Sequence, residues 1–124
     1  MVRESYISFE LAKLLEEKKC WLVDFHAYYD EFGNWFNQPN TILKESGYKY
    51  YRIYTQALVM RWLREEKNID IIPFHEMLDG DCYWCRIEKK YGNLLHTELQ
   101  QEPIYATYEH ACEEAIKYCL NNLV

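Results

Sequence analysis

The sequence predicts an α+β fold: one domain over residues 1–124, with about three helices packed on one face of a small, mostly antiparallel sheet of three to five strands. Three observations predict it. Tyr108, Ala111, Cys112, Ala115, Ile116, Cys119 and Leu123 recur at helical spacing and draw one apolar stripe down a closing helix. Asp79-Gly80, the residue pair that suits a tight hairpin turn, separates two strand-like runs. The order helix, strands, helix, strands, helix groups turn-linked strands between helices, which favours helices laid on an antiparallel sheet.

The first helix follows Ser8, a good N-cap, and runs to about Lys19 with Phe9, Leu11, Ala12, Leu14 and Leu15 on its apolar face. Trp21 to Tyr29 reads as a strand, with Asp24 and His26 alternating against Val23 and Phe25. Gly33-Asn34 signals a turn, and Trp35-Phe36 a short returning strand. Pro39, Asn40 and Gly47 punctuate the stretch after it, which has no clear periodicity.

Thr55 caps a second helix to about Lys67, with Leu58, Val59, Trp62 and Leu63 turned inward and Asn68 as a left-handed stop. Ile69 to Leu78 is a strand whose Pro73 lacks an N–H, so it belongs at an edge or a bulge. Cys82 to Lys90 returns after the hairpin turn, Gly92-Asn93 turns again, and Leu94 to Thr97 adds a short strand. Pro103 breaks the next loop, and Thr107 caps the final helix toward Asn121.

Composition is that of a globular chain, with 27% charged and 49% hydrophobic residues. A domain of this length buries roughly two-thirds of the surface its unfolded chain exposes. Aromatics are the outlier: twelve Tyr, four Trp and five Phe make 17% of the chain, suiting a packed sheet with tyrosines at its rim or a contact surface. The net charge of −6 disfavours long nucleic-acid duplexes as partners of the whole molecule. No apolar run reaches the length of a membrane span, and Arg3-Glu4 followed by a helical pattern does not read as a secretory signal. The five cysteines are odd in number and read as reduced thiols of a cytoplasmic protein, two of them (Cys112 and Cys119) on the helical stripe.

Candidate reactive groups are few. Cys82 and Cys85 form a C-x-x-C pair, but inside a strand, where residues three apart face opposite ways, the expectation is one cysteine inward and one at the rim. A zinc site would have to add His75 and His96 to that pair. Glu76, Asp79 and Asp81 cluster at the hairpin as turn aspartates or ligands of a hard cation. His26, His75, His96 and His110 are scattered, and His110 sits beside the apolar stripe, on the solvent side. No phosphate-cradling glycine loop, nucleophile elbow or His-Glu-x-x-His occurs, so no catalytic residue, metal or cofactor is assigned.

The local anomaly is Lys44 to Arg64. Lys44, Lys49, Arg52, Arg61 and Arg64 stand against Glu45 alone, so this segment carries +4 and the remainder −10. Tyr48, Tyr50, Tyr51 and Tyr54 interleave with the cations. Basic groups beside stackable rings suit an acidic protein face, single-stranded nucleic acid or a nucleotide, and equally a sheet that packs its alternate tyrosines. The candidate binding residues are Tyr48, Lys49, Tyr50, Tyr51, Arg52, Arg61 and Arg64.

Three segments carry a family resemblance. They are Ile7-Ser8-Phe9-Glu10-Leu11-Ala12-Lys13; Tyr54-Thr55-Gln56-Ala57-Leu58 leading into Arg61-Trp62-Leu63-Arg64-Glu65; and Thr107-Tyr108-Glu109 with Ala111, Glu113, Glu114, Ala115 and Ile116. Their ordering resembles that of small phage and prophage proteins of gut bacteria. In that group a capped helix with a Trp-Leu-Arg/Tyr-Glu run precedes a hairpin, and a Thr-Tyr-Glu-Glu-Ala-like helix closes the chain. Here His110 replaces the second acidic residue of that last motif, and Tyr54 stands where a proline is expected. The resemblance implies a mobile-element context in a bacterial cytoplasm and supplies no site residues.

These features favour a small accessory protein that acts by binding another protein. Nucleic-acid or nucleotide binding through residues 44–64 is the alternative, and a metal or Cys/His enzyme built on His75, Cys82, Cys85 and His96 a third. The edge strand near Pro73 and the exposed tyrosines also offer a homodimer contact.

Overall fold

In the computed structural model, which describes residues 5–20, 22, 27–37, 49–77, 81–89, 94–97 and 105–124, the chain is α+β and divides into two compact units, residues 1–56 and 57–124. The described residues form three helices and six strands, and the strand pairs among them are antiparallel.

In the first unit Ser8 caps helix α1 (Phe9–Glu17), its hydroxyl accepting the Leu11 N–H at 3.1 Å. Leu11, Ala12 and Leu15 are buried, while Phe9 and Leu14 of the expected apolar face are half-buried. The helix ends two residues before the expected stop because Lys19 turns left-handed (φ 56°). The Lys19 N–H then reaches the Glu16 carbonyl and the Cys20 N–H the Leu15 carbonyl, which satisfies two of the last helical acceptors.

Strands β1 (Ala27–Asp30), β2 (Trp35–Phe36) and β3 (Tyr50–Ile53) form a sheet in the order β2-β1-β3, and α1 packs on β3. The sequence placed the first strand at residues 21–29; its alternating residues 23–26 lie outside the described residues. Register puts Ala27, Tyr29, Trp35, Tyr51 and Ile53 on one face and Tyr28, Asp30, Phe36, Tyr50 and Arg52 on the other. Phe9 of α1 meets Tyr29 and Tyr51 at ring separations of 5.4 and 5.7 Å, so α1 covers the first face. On the second face Tyr28, only 1% exposed, stacks on Phe36 and receives the edge of Tyr50.

Helix α2 (Gln56–Glu66), in the second unit from its second residue on, buries Val59 and Leu63 and leaves Leu58 and Trp62 half-buried. Asn68, at φ 58°, provides the expected left-handed exit. Strands β4 (Ile69–Met77), β5 (Asp81–Lys89) and β6 (Leu94–Thr97) follow in the order β4-β5-β6, so Pro73 lies on an edge strand as its missing N–H requires. The β4–β5 ladder runs unbroken from Ile69↔Lys89 to Met77↔Asp81, and the expected Asp79-Gly80 turn lies outside the described residues.

Thr107 caps helix α3 (Tyr108–Asn122), which packs on β4 and β5. Its buried stripe is Ala111, Cys112, Ala115, Ile116, Cys119 and Leu120. Two ends of the expected stripe differ: Tyr108 is exposed and Leu123 half-buried, while Leu120, four residues after Ile116, joins the core.

Among the described residues the strands thus form two three-stranded sheets where the sequence suggested a single sheet. Turn signals and alternation identify strands, but hydrogen-bond partners between distant strands leave no local pattern. No helix among the described residues is long and apolar enough to cross a membrane.

Candidate binding groove

Four of the seven sequence-predicted binding residues meet around one groove. Lys49, Tyr50, Tyr51 and Arg52, at the start of and along β3, line an open cleft of about 580 Å³ with Lys13, Glu16 and Glu17 of α1. The three α1 residues were missed by reasoning from the basic segment. Their signal was present in the helical spacing, because residues three and four apart share a face and Lys13 stands above both Glu16 and Glu17.

Alternation along β3 decides how its side chains are used. Tyr51 turns toward α1 and packs its ring against Phe9. Tyr50 and Arg52 project from the opposite face, with the guanidinium carbon 5.8 Å from the Tyr50 ring centre. Arg52 also pairs with Glu16, its Nη1 2.5 Å from the carboxylate, and both side chains are half-buried. Lys13 holds its ammonium 4.5 Å from the Phe9 ring centre. Lys49 and Glu17 are exposed and form no ion pair among the described residues. The lining therefore carries three cations and two carboxylates, with one cation already matched.

Tyr54, the last of the four tyrosines that interleave with the cations, does not line the groove. It is 2% exposed, and its hydroxyl both accepts the Leu22 N–H and donates to the Leu22 carbonyl, each at 3.1 Å. Burial pushes this phenol above its ordinary value of 10.0. The ring belongs to the core because the inward direction of Ile53 is followed by a chain bend into α2, which a strand-period reading does not anticipate. Tyr48 lies outside the described residues. Arg61 and Arg64 are on α2 in the second unit, Arg61 bonded to Glu65 at 3.1 Å and Arg64 4.0 Å from Asp70.

The thiols behave as the strand alternation predicts: Cys85 is fully buried and Cys82 half-buried. Cys112 and Cys119 are core residues of α3, and Cys20 is buried beside the end of α1. His75 is exposed and stacked on Tyr83 with ring centres 4.8 Å apart. His110 is solvated as expected, 3.7 Å from Glu114 and beside the Tyr105 ring. Among the described residues no three His, Cys, Asp or Glu side chains are placed to hold a metal ion. His26, Asp79 and the side chains of Glu76, Asp81 and His96 lie outside the described set.

The groove offers groups for binding. Its tyrosines offer apolar surface with polar tips, and its two exposed lysines and Glu17 offer charge of both signs. No protein-family model matches the chain, and neither a curated protein nor a solved structure matches it.

Proposed function

We propose that this chain is a non-enzymatic binding protein that holds a segment of another protein in the groove between α1 and β3. The observation that carries this reading is the mixed charge of the lining. Among the described residues Glu17 forms no ion pair, and Glu16 neutralises Arg52, so a polyphosphate would meet a carboxylate and gain Lys13 and Lys49 as its cations. A polypeptide can answer both signs at once and pack its apolar groups on Tyr50 and Tyr51. A phage or prophage accessory role, such as modulation of a host protein, belongs to the same reading and rests on the resemblance of the three segments.

The test is affinity purification of the tagged chain from a bacterial host, followed by binding measurements on whatever co-elutes. Charge reversal at both exposed lysines, Lys13→Glu with Lys49→Glu, should weaken the partner at least about tenfold without changing the thermal midpoint appreciably. Tight binding of a labelled single-stranded oligonucleotide, falling steeply with salt and abolished by the same double variant, would overturn the protein reading in favour of nucleic acid.

A further inference from the structure

The opposite edge of the first sheet, at β2, gathers most of the aromatic side chains that are exposed among the described residues. Of the six large hydrophobic side chains exposed among the described residues, four are here: Tyr6 (43%), Phe32 (80%), Trp35 (43%) and Phe36 (40%). Tyr6 and Trp35 meet edge to face at 5.2 Å, and Tyr29 backs Trp35 at 5.7 Å, so the indole is held in place rather than loosely displayed.

Phe32 stands on a turn built to be rigid. The Asp30 carboxylate accepts the N–H groups of Phe32 and Asn34, each at 2.9 Å, and the Asn34 side-chain amide at 3.0 Å. Gly33 donates to the Asp30 carbonyl, and the Asp30 N–H closes the hairpin on the Asn34 carbonyl. The backbone that carries the solvated phenyl therefore has little freedom to lose on association, which suits an anchor position.

Charge states what the anchor fits. Elsewhere the chain lays its own cations on its rings: Lys13 on Phe9, Arg52 on Tyr50, Lys67 on Trp62 and Arg86 on Phe74. Among the described residues no cation lies over Tyr6, Phe32, Trp35 or Phe36. Residues 27–37 contain no Lys or Arg and two carboxylates, Asp30 and Glu31, of which Glu31 is exposed next to Phe32.

We propose that this edge is a docking surface for an arginine-bearing segment of a partner protein, with guanidinium groups laid over Phe32 and Trp35 and paired with Glu31. Arginine fits better than lysine because a planar guanidinium stacks on a ring while bonding a carboxylate in its own plane. The surface is separate from the α1–β3 groove and shares no residue with it.

The full chain is titrated with short synthetic peptides alternating Gly with Arg, with Lys, with citrulline or with Glu. Binding is read by calorimetry and by the indole N–H resonance of Trp35, identified by its loss in Trp35→Phe. The Arg peptide should bind at least about threefold tighter than the Lys peptide of equal charge. Phe32→Ser, at a position too exposed to disturb folding, should weaken it at least about fivefold, and Glu31→Gln by about threefold. Equal binding of the Arg and Lys peptides, or binding indifferent to Phe32→Ser, would reduce the effect to general attraction by an acidic chain and overturn the proposal. Self-association in sedimentation, or adsorption to neutral phosphatidylcholine vesicles, that vanishes in Phe32→Ser would overturn it too, assigning the edge to a second copy or to a lipid surface.

Discussion

Gly33 lies against the ring of Phe9: a Cβ at that position would come within 2.9 Å of Phe9 Cδ2, and the backbone there has φ +85°. The β1–β2 turn and helix α1 are therefore fitted to each other at a point where only a hydrogen fits. Gly33→Ala should lower stability by about 1–3 kcal/mol, combining the left-handed penalty with displacement of the ring. Urea unfolding checks it, with the midpoint falling at unchanged slope.

Lys19 holds the left-handed position at the end of α1 without the freedom of glycine. Its side chain is exposed, so Lys19→Gly should stabilise the protein by up to about 1 kcal/mol, less the entropy that glycine adds to the unfolded chain. Asn68→Ala at the end of α2 should act in the opposite sense by a similar amount, because alanine tolerates φ 58° less well than asparagine. Thermal melts of the two variants should shift in opposite directions.

Tyr54→Phe leaves the ring in place and strands both backbone groups of Leu22, so it should cost about 1–3 kcal/mol. The pH dependence has a definite sign. Burial raises the folded phenol above 10.0, so its share of stability is complete below pH 10 and is lost as pH rises through the folded value. The alkaline decline of the midpoint should be shallower in Tyr54→Phe than in the natural chain.

Asp30 supplies the acid counterpart. Desolvation pushes its carboxyl up, but hydrogen bonds from the Asn34 side chain and from the N–H groups of Asn34, Phe32 and Gly33 together hold it below 3.8. The turn's contribution is thus present above pH 3.8 and lost as pH falls through the lower, folded value. Asp30→Asn should flatten that acid limb, and the Phe32 and Asn34 amides should lose protection from hydrogen exchange.

The sequence by itself determined the α+β class, the caps at Ser8 and Thr107, the left-handed stop at Asn68, an edge or bulged setting for Pro73, opposite facing of Cys82 and Cys85, and the burial of Cys112 and Cys119. Each depends on sterics or periodicity within a few residues, which the local pattern records. The gathering of Lys49, Tyr50 and Arg52 was half legible: their basic, aromatic character stood out, but not that α1 would bring Glu16 to Arg52 across thirty-six positions. Only the tertiary structure decided that pairing, the sinking of Tyr54 onto Leu22, the closure of Gly33 on Phe9 and the division of the strands into two sheets. These depend on which distant surfaces exclude water together, and a residue's own neighbours in the chain carry no trace of that choice.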